Sequence, residues 1–203
     1  GTGTSIDTKG KITWNLARAA KSNSANIVWF LEKRDGKTYL YNPQSNSYFT
    51  GKNHVGSLVG YSSSGKVINC DVTAAVANTG QNCGGLVGDS DGNIQDSSFG
   101  GSVTGTGNYV GGIVGYALAC KAGDEISSNA YKGRVVGEVN VAGIVGKLEA
   151  YSESGGFNYS GLNNNITYGS VDGEESTGGV VGYLHPNSSS LTVQYCVNTA
   201  SLI

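Results

Sequence analysis

Residues 83–88 read CGGLVG, and variants of this phrase return as VGSLVG at 55–60, VGGIVG at 110–115, VAGIVG at 141–146 and TGGVVG at 177–182. The closing glycines, Gly60, Gly88, Gly115, Gly146 and Gly182, lie 28, 27, 31 and 36 residues apart. Self-similarity at such a period marks a repeat array, in which one small unit buries its apolar face only by stacking on copies of itself. A second phrase follows each loop rich in Ser, Asn, Asp and Gly. Its first and last apolar residues are always nine apart, as Val67/Val76, Ile94/Val103, Ile126/Val135, Leu162/Val171 and Val193/Leu202. Inside it, Cys70, Ser97, Asn129, Asn165 and Cys196 share one column, and Ala74, Gly101, Gly133, Gly169 and Ala200 share another.

Both phrases are short, rich in β-branched residues and bounded by turn formers, and no helical period is sustained between 51 and 203. Each repeat therefore reads as two strands and two turns. Copies stacked at a strand spacing of about 4.8 Å give an all-β solenoid of five coils over 51–203, rising roughly 24 Å. A propeller or sandwich is the alternative, although four strands in 27 residues would be cramped. The small-residue column suits a narrow interior or a corner at positive φ. The longest intervals contain 147–163 (KLEAYSESGGFNYSGLN), a bulge that is either a functional face or decoration.

Residues 1–50 fall outside the repeat and read as a β-rich cap on the open end of the stack. Within them, 27–31 (IVWFL), Asp35-Gly36 and 38–41 (TYLY) form a hairpin pattern, because Asp-Gly favours the primed turns that hairpins use. Residues 13–20 read as a short helix.

The composition narrows the function classes. The chain has 203 residues, 33 Gly but only 2 Pro, 14% charged residues and a net charge of -2, which fits neither collagen nor a Pro/Gly linker. No basic cluster exceeds Glu32-Lys33-Arg34, so no footprint for nucleic acid or an anionic membrane is present. No apolar run approaches the 18 residues of a spanning helix, so membrane insertion by this segment is not expected. The start, Gly1-Thr2-Gly3-Thr4, lacks a basic-then-apolar leader and reads as a mature chain or an excised piece.

Cys70 and Cys196 share a column four coils apart, about 19 Å at one strand spacing per coil, beyond the roughly 7 Å reach of a disulfide. All four cysteines, including Cys83 and Cys120, read as thiols, with Cys83 replacing a core Val. No metal and no cofactor is expected: there is no Cys-x-x-Cys, and only His54 and His185 could assist. Residues 89–93 (DSDGN) with Asp96 echo the start of a calcium loop, but the twelfth-position Glu and flanking helices are missing, so a solvated turn is expected. The acids fall in different repeat columns with no cleft between neighbouring coils, and no nucleophile elbow, zincin or phosphate-loop motif occurs. The chain is thus read as not an enzyme. The residue after each first phrase is Tyr61, Asp89, Tyr116, Lys147 or Tyr183, which makes Tyr61, Tyr116 and Tyr183 the candidate ligand contacts. The alternative is that these rings merely cover a coil corner. Tyr109, Tyr131, Tyr168 and Tyr195 lie in other columns.

The phrase Gly85-Leu86-Val87-Gly88, its variants, and the downstream Ile/Val-x-x-Cys/Ser/Asn pattern resemble the GLUG repeat of bacterial surface and secreted proteins. The resemblance covers 51–203 and departs from the pattern only at Ser57 and Ala142, both small. It implies a β-solenoid at the cell surface or outside the cell, acting as an adhesin or an adhesin stalk toward a host or bacterial surface glycan or protein. The alternative it implies is a spacer beside a secreted enzyme, such as an immunoglobulin A peptidase or a polysaccharide-acting enzyme. It carries over no catalytic residue.

Overall fold

The computed structural model describes residues 4–6, 12–15, 28–34, 37–41, 48–119, 123–151, 158–186 and 190–203. Among these every regular element is a strand. The repeats wind into the expected five-coil β-solenoid, but each coil has three strands rather than two. The first sheet stacks Val59–Ser62, Val87–Ser90, Val114–Ala119, Val145–Ala150 and Val181–His185. The second stacks Lys66–Ile68, Asn93–Gln95, Ile126–Ser127, Asn158–Asn163 and Ser190–Gln194. The third, a long sheet, stacks Cys70–Asn78, Ser98–Gly105, Ala130–Ala142 and Ile166–Gly178, then the shorter Val197–Asn198 and Ser201–Leu202. All these ladders are parallel, and they align the sequence columns residue for residue, as in Val76↔Val103↔Val135↔Val171↔Leu202.

The extra strand arises because the second phrase is cut by a corner one residue wide. Asn69, Asp96, Ser128, Asn164 and Tyr195 occupy that corner at φ of 55°, 49°, 57°, 53° and 54°. A second corner precedes the first phrase, at His54, Asn82, Tyr109, Asn140 and Ser176, with φ between 51° and 66°. At the first corner one left-handed residue swings the chain from the second sheet onto the third without a loop, whereas Asn140 and Ser176 lie inside third-sheet strands that run on to Ala142 and Gly178; short polar side chains tolerate that conformation best.

Leu86, Val87, Ile94, Phe99, Val103, Ile113 and Val114, together with their counterparts in adjoining coils, fill the triangular interior and are fully buried. Phe99 and Tyr131 stack almost parallel, 6.2 Å apart, and the Tyr131 hydroxyl donates to the Gly101 carbonyl at 3.1 Å. The polar column runs along the first of these corners. Cys70 N donates to Ser97 Oγ (3.1 Å), Ser97 N to Asn129 Oδ1 (3.1 Å) and Asn129 N to Asn165 Oδ1 (3.0 Å). Asn129 and Asn165 each also donate through Nδ2 to a carbonyl of the preceding coil, Ile94 at 2.8 Å and Ile126 at 2.7 Å. Cys70, Cys83 and Cys196 are free thiols, and burial pushes the Cys83 thiol up to about 12, so it stays protonated. Cys120 lies outside the described residues.

The small-residue column is enforced by backbone. A Cβ on Gly133 would lie 1.8 Å from the Gly101 carbonyl oxygen, and one on Gly169, at φ +90°, 2.1 Å from that of Gly133. Where the column carries Ala, the ladder gives way. The strand breaks between Asn198 and Ser201 around Ala200, and the two strands flanking Cys70–Asn78 pair with 70–72 and 75–78 but not with Ala74.

At the N-terminal end, Lys37–Tyr41 and Tyr48–Gly51 run parallel to Cys70–Asn78. Val28–Arg34 and Lys37–Tyr41 pair antiparallel, Ile12–Asn15 pairs with Val28–Arg34, and Thr4–Ile6 with Ile12–Asn15; the Asp35-Gly36 turn of the hairpin reading lies outside the described residues. The helix reading of 13–20 is corrected for its first residues: Thr13, Trp14 and Asn15 belong to the strand Ile12–Asn15, whose leading residues are β-branched or aromatic. Residues 16–20 lie outside the described set. Most of the bulge read at 147–163 is also strand, in Val145–Ala150 and Asn158–Asn163.

Candidate functional site

The closing glycine of each phrase builds the tyrosine column. A Cβ on Gly88 would meet the His54 carbonyl carbon at 2.5 Å, and at Gly115, Gly146 and Gly182 it would meet Asn82, Tyr109 and Asn140 at 2.7 Å each. Glycine there lets the left-handed corner of one coil lie flat against the strand of the next. The corner side chain consequently stands beside the residue seven positions later, pairing His54 with Tyr61, Asn82 with Asp89 and Tyr109 with Tyr116.

The ladder reads Tyr61↔Asp89↔Tyr116↔Lys147↔Tyr183. The three candidate tyrosines therefore share a column but alternate with charged residues, two strand spacings or roughly 10 Å apart. Tyr61 and Tyr183 are 57% and 43% exposed, and Tyr116 is half-buried. Lys147 Nζ lies 2.7 Å from Glu149 Oε2 and 5.2, 5.4 and 5.8 Å from the ring centroids of Tyr109, Tyr116 and Tyr183. The Tyr116 hydroxyl donates to Glu149 Oε2 at 3.1 Å, and His185, stacked on Tyr183, brings Nδ1 to 3.4 Å from Glu149 Oε1. At the other end, Asp89 Oδ2 lies 2.9 Å from His54 Nδ1 and accepts from Asn82 Nδ2 at 2.8 Å.

These contacts set the charge states. Burial pushes the Asp89 carboxyl above its ordinary 3.8, outweighing the opposite pull of Asn82 and His54. Burial acts the same way on Glu149, but there the hydrogen bonds from Lys147 and Tyr116 and the charges of Lys147 and His185 win and hold it below the usual range. Burial, then the Glu149 carboxylate, pushes the Tyr116 hydroxyl far up, so it remains a donor. A raised carboxyl makes folding favour the protonated form, a contribution present at low pH and lost as pH rises through the folded value. Asp89→Asn should accordingly gain stability relative to wild type as pH rises from about 3 to 7, read from urea midpoints at each pH; a gap that narrows with rising pH would contradict this.

Column spacing alone does not bring His54, Asn82, Glu149 and His185 onto this face, and Tyr109, expected in another column, stands beside Tyr116. The usable signal was the constant seven-residue offset between the two columns. Tyr131 is core, whereas Tyr168 and Tyr195 are exposed on the long sheet and at the first corner. The acids are not all dispersed: Asp91 and Asp124, from adjoining coils, line one hollow with Ser64, Lys66 and Asn93. Burial, then repulsion from Asp89 and Asp124, raises the Asp91 carboxyl. Asp89 points instead to His54 and Asn82, so the carboxylates of 89–93 do not converge, and among the described residues no three His, Cys, Asp or Glu side chains could hold a metal ion. No described helix is long and apolar enough to cross a membrane.

No family model, curated protein or solved structure matches the chain. The three-sided parallel solenoid is consistent with the GLUG resemblance without being particular to it.

Proposed function

We propose that the protein is a non-enzymatic binding module of the GLUG type, displayed at or secreted from a bacterial cell surface, and that its tyrosine column is an adhesive face for a surface glycan or protein. The observation that supports this is the pair of exposed rings, Tyr61 and Tyr183, each propped by a neighbouring His on a stiff parallel sheet. Aromatic rings fixed before contact lose little conformational freedom on binding and bury a large area. The charges between them are already engaged, Asp89 by His54 and Asn82 and Lys147 by Glu149, so the face offers rings and hydroxyls rather than a bare charge. Such a strip suits an extended chain of sugars or a flat protein surface laid along the stack. The extracellular setting rests on the family resemblance alone.

The test is an array of glycans and matrix proteins probed with the purified chain and with Tyr61→Ala/Tyr183→Ala. Both sites are exposed, so the variant should keep its fold. Saturable binding weakened at least ten-fold, about 1.4 kcal/mol, is expected from losing two ring contacts. Binding that the variant retains in full, or no binding to any arrayed ligand, would sink the reading, and turnover of an arrayed polysaccharide would replace it with an enzymatic one.

A further inference from the structure

The tyrosine column has a period as well as a position. Tyr61, Asp89, Tyr116, Lys147 and Tyr183 are successive ladder partners on the first sheet, so a ring recurs at every second coil, roughly 10 Å along the stack. Each ring is held where it stands: Tyr61 in a T-shaped contact with His54, Tyr116 beside Tyr109 with its hydroxyl on Glu149, and Tyr183 parallel to His185. The positions between the rings are drawn down. Asp89 is 6% exposed and turned to His54 and Asn82, and the Lys147 side chain is 13% exposed and turned to Glu149. The strip therefore alternates ring and recess, and its charges are matched from within, which complements an uncharged partner of the same period.

We infer that the occupant of this column is an extended, uncharged β-1,4-linked hexose glycan, lying along the stack with every second sugar on a tyrosine. The inference rests on the adhesive reading above and names its ligand class. In such a chain each pyranose is turned over relative to the one before it. The same face therefore returns every two sugars, and two extended sugars cover roughly the 10 Å of two strand spacings. Alternate sugars lay that face on Tyr61, Tyr116 and Tyr183, while the intervening ones pass over the recesses at Asp89 and Lys147. Chains linked α-1,4 or β-1,3 curl, so their faces fall out of step with the column within a few sugars. A folded protein surface has no such period to match, and an anionic glycan would find the Lys147 ammonium already held by Glu149.

Calorimetric titration of the whole chain with β-1,4-linked oligosaccharides of glucose, mannose and N-acetylglucosamine, two to six sugars long, tests this. In at least one series affinity should climb in steps of roughly five-fold, the effect of one further aromatic contact. The steps should fall at the third sugar, where a second ring is reached, and at the fifth, where the third is reached; the fourth and sixth sugars should add little. Tyr61→Ala and Tyr183→Ala, both at exposed positions, should each remove the step at five and keep the step at three, with an unchanged circular dichroism spectrum. Maltohexaose and laminarihexaose, the same glucose joined α-1,4 and β-1,3, should bind no better than the β-1,4 disaccharide. A smooth rise with length, steps that survive both variants, hexasaccharides of all linkages bound alike, or no binding of any β-1,4 series would overturn the inference. If the chain then still binds a protein or a curled glycan through Tyr61 and Tyr183, the adhesive reading stands and only its ligand class falls; if it binds nothing, both fall.

Discussion

Gly133→Ala is expected to cost at least about 4 kcal/mol, the range reserved for clashes that no side chain can relieve. The added methyl would sit 1.8 Å from the Gly101 carbonyl oxygen and 2.8 Å from the Gly101 nitrogen, both backbone atoms of the preceding coil. Relief requires that the third coil part from the second, and a solenoid coil contacts only its neighbours, so the stack should come apart in two steps rather than one. Calorimetry should show a midpoint lowered by roughly 8–16 °C, or two resolved transitions, for a chain of this size. Gly100→Ala, in the preceding coil beside Gly101, is the control: its Cβ would find nothing nearer than Thr73 Oγ1 at 3.3 Å, and about 1 kcal/mol or less should change. A single transition within 2 °C of wild type for Gly133→Ala would refute the claim that backbone contact enforces this column. The natural Ala74 and Ala200 do not contradict it, because the ladder is interrupted at both.

The second large effect belongs to the polar column. Asn129 is fully buried, and its side chain accepts from Ser97 N and donates to the Ile94 carbonyl and to Asn165 Oδ1. Asn129→Ala strands the Ser97 amide and the Ile94 carbonyl in the interior, at about 1–3 kcal/mol each. Roughly 3 kcal/mol in total should be lost, seen as a fall of about 6–12 °C in the melting midpoint. Asn129→Ser should recover part of this, because Ser97 already serves as acceptor for Cys70 N in the same column. Equal loss in both variants would show that cavity volume, not hydrogen bonding, governs the site.

The array, its columns and its five coils were legible because the repeat aligns residues that later pair. The third strand was not. A corner made of one residue leaves no cluster of turn formers, so Asn69, Asp96, Ser128, Asn164 and Tyr195 passed as interior positions of a single phrase. The tyrosine column was visible as a spacing, but its partners come from the preceding corner or an adjoining coil, and only register brings Lys147 over Tyr109 and Tyr116 or Glu149 to the Tyr116 hydroxyl. The meeting of Asp91 with Asp124 was missed for the same reason, since 33 residues separate them in the chain.

The vertex between the second and third sheets turns on one left-handed residue, and the vertex between the first and second does not. Between the first and second sheets the connecting segments are 63–65, 91–92, 120–125, 151–157 and 186–189, so nearly all variation in repeat length is confined to that vertex. The long sheet is indifferent to what is spliced in there, since its ladder keeps register in every coil and the one shift, between Tyr159 and Leu162, is absorbed within the second sheet. Evolution, or an engineer, can thus graft foreign segments along one ridge at a fixed interval while the opposing faces keep their pattern. The molecule behaves as a ruler with one editable margin.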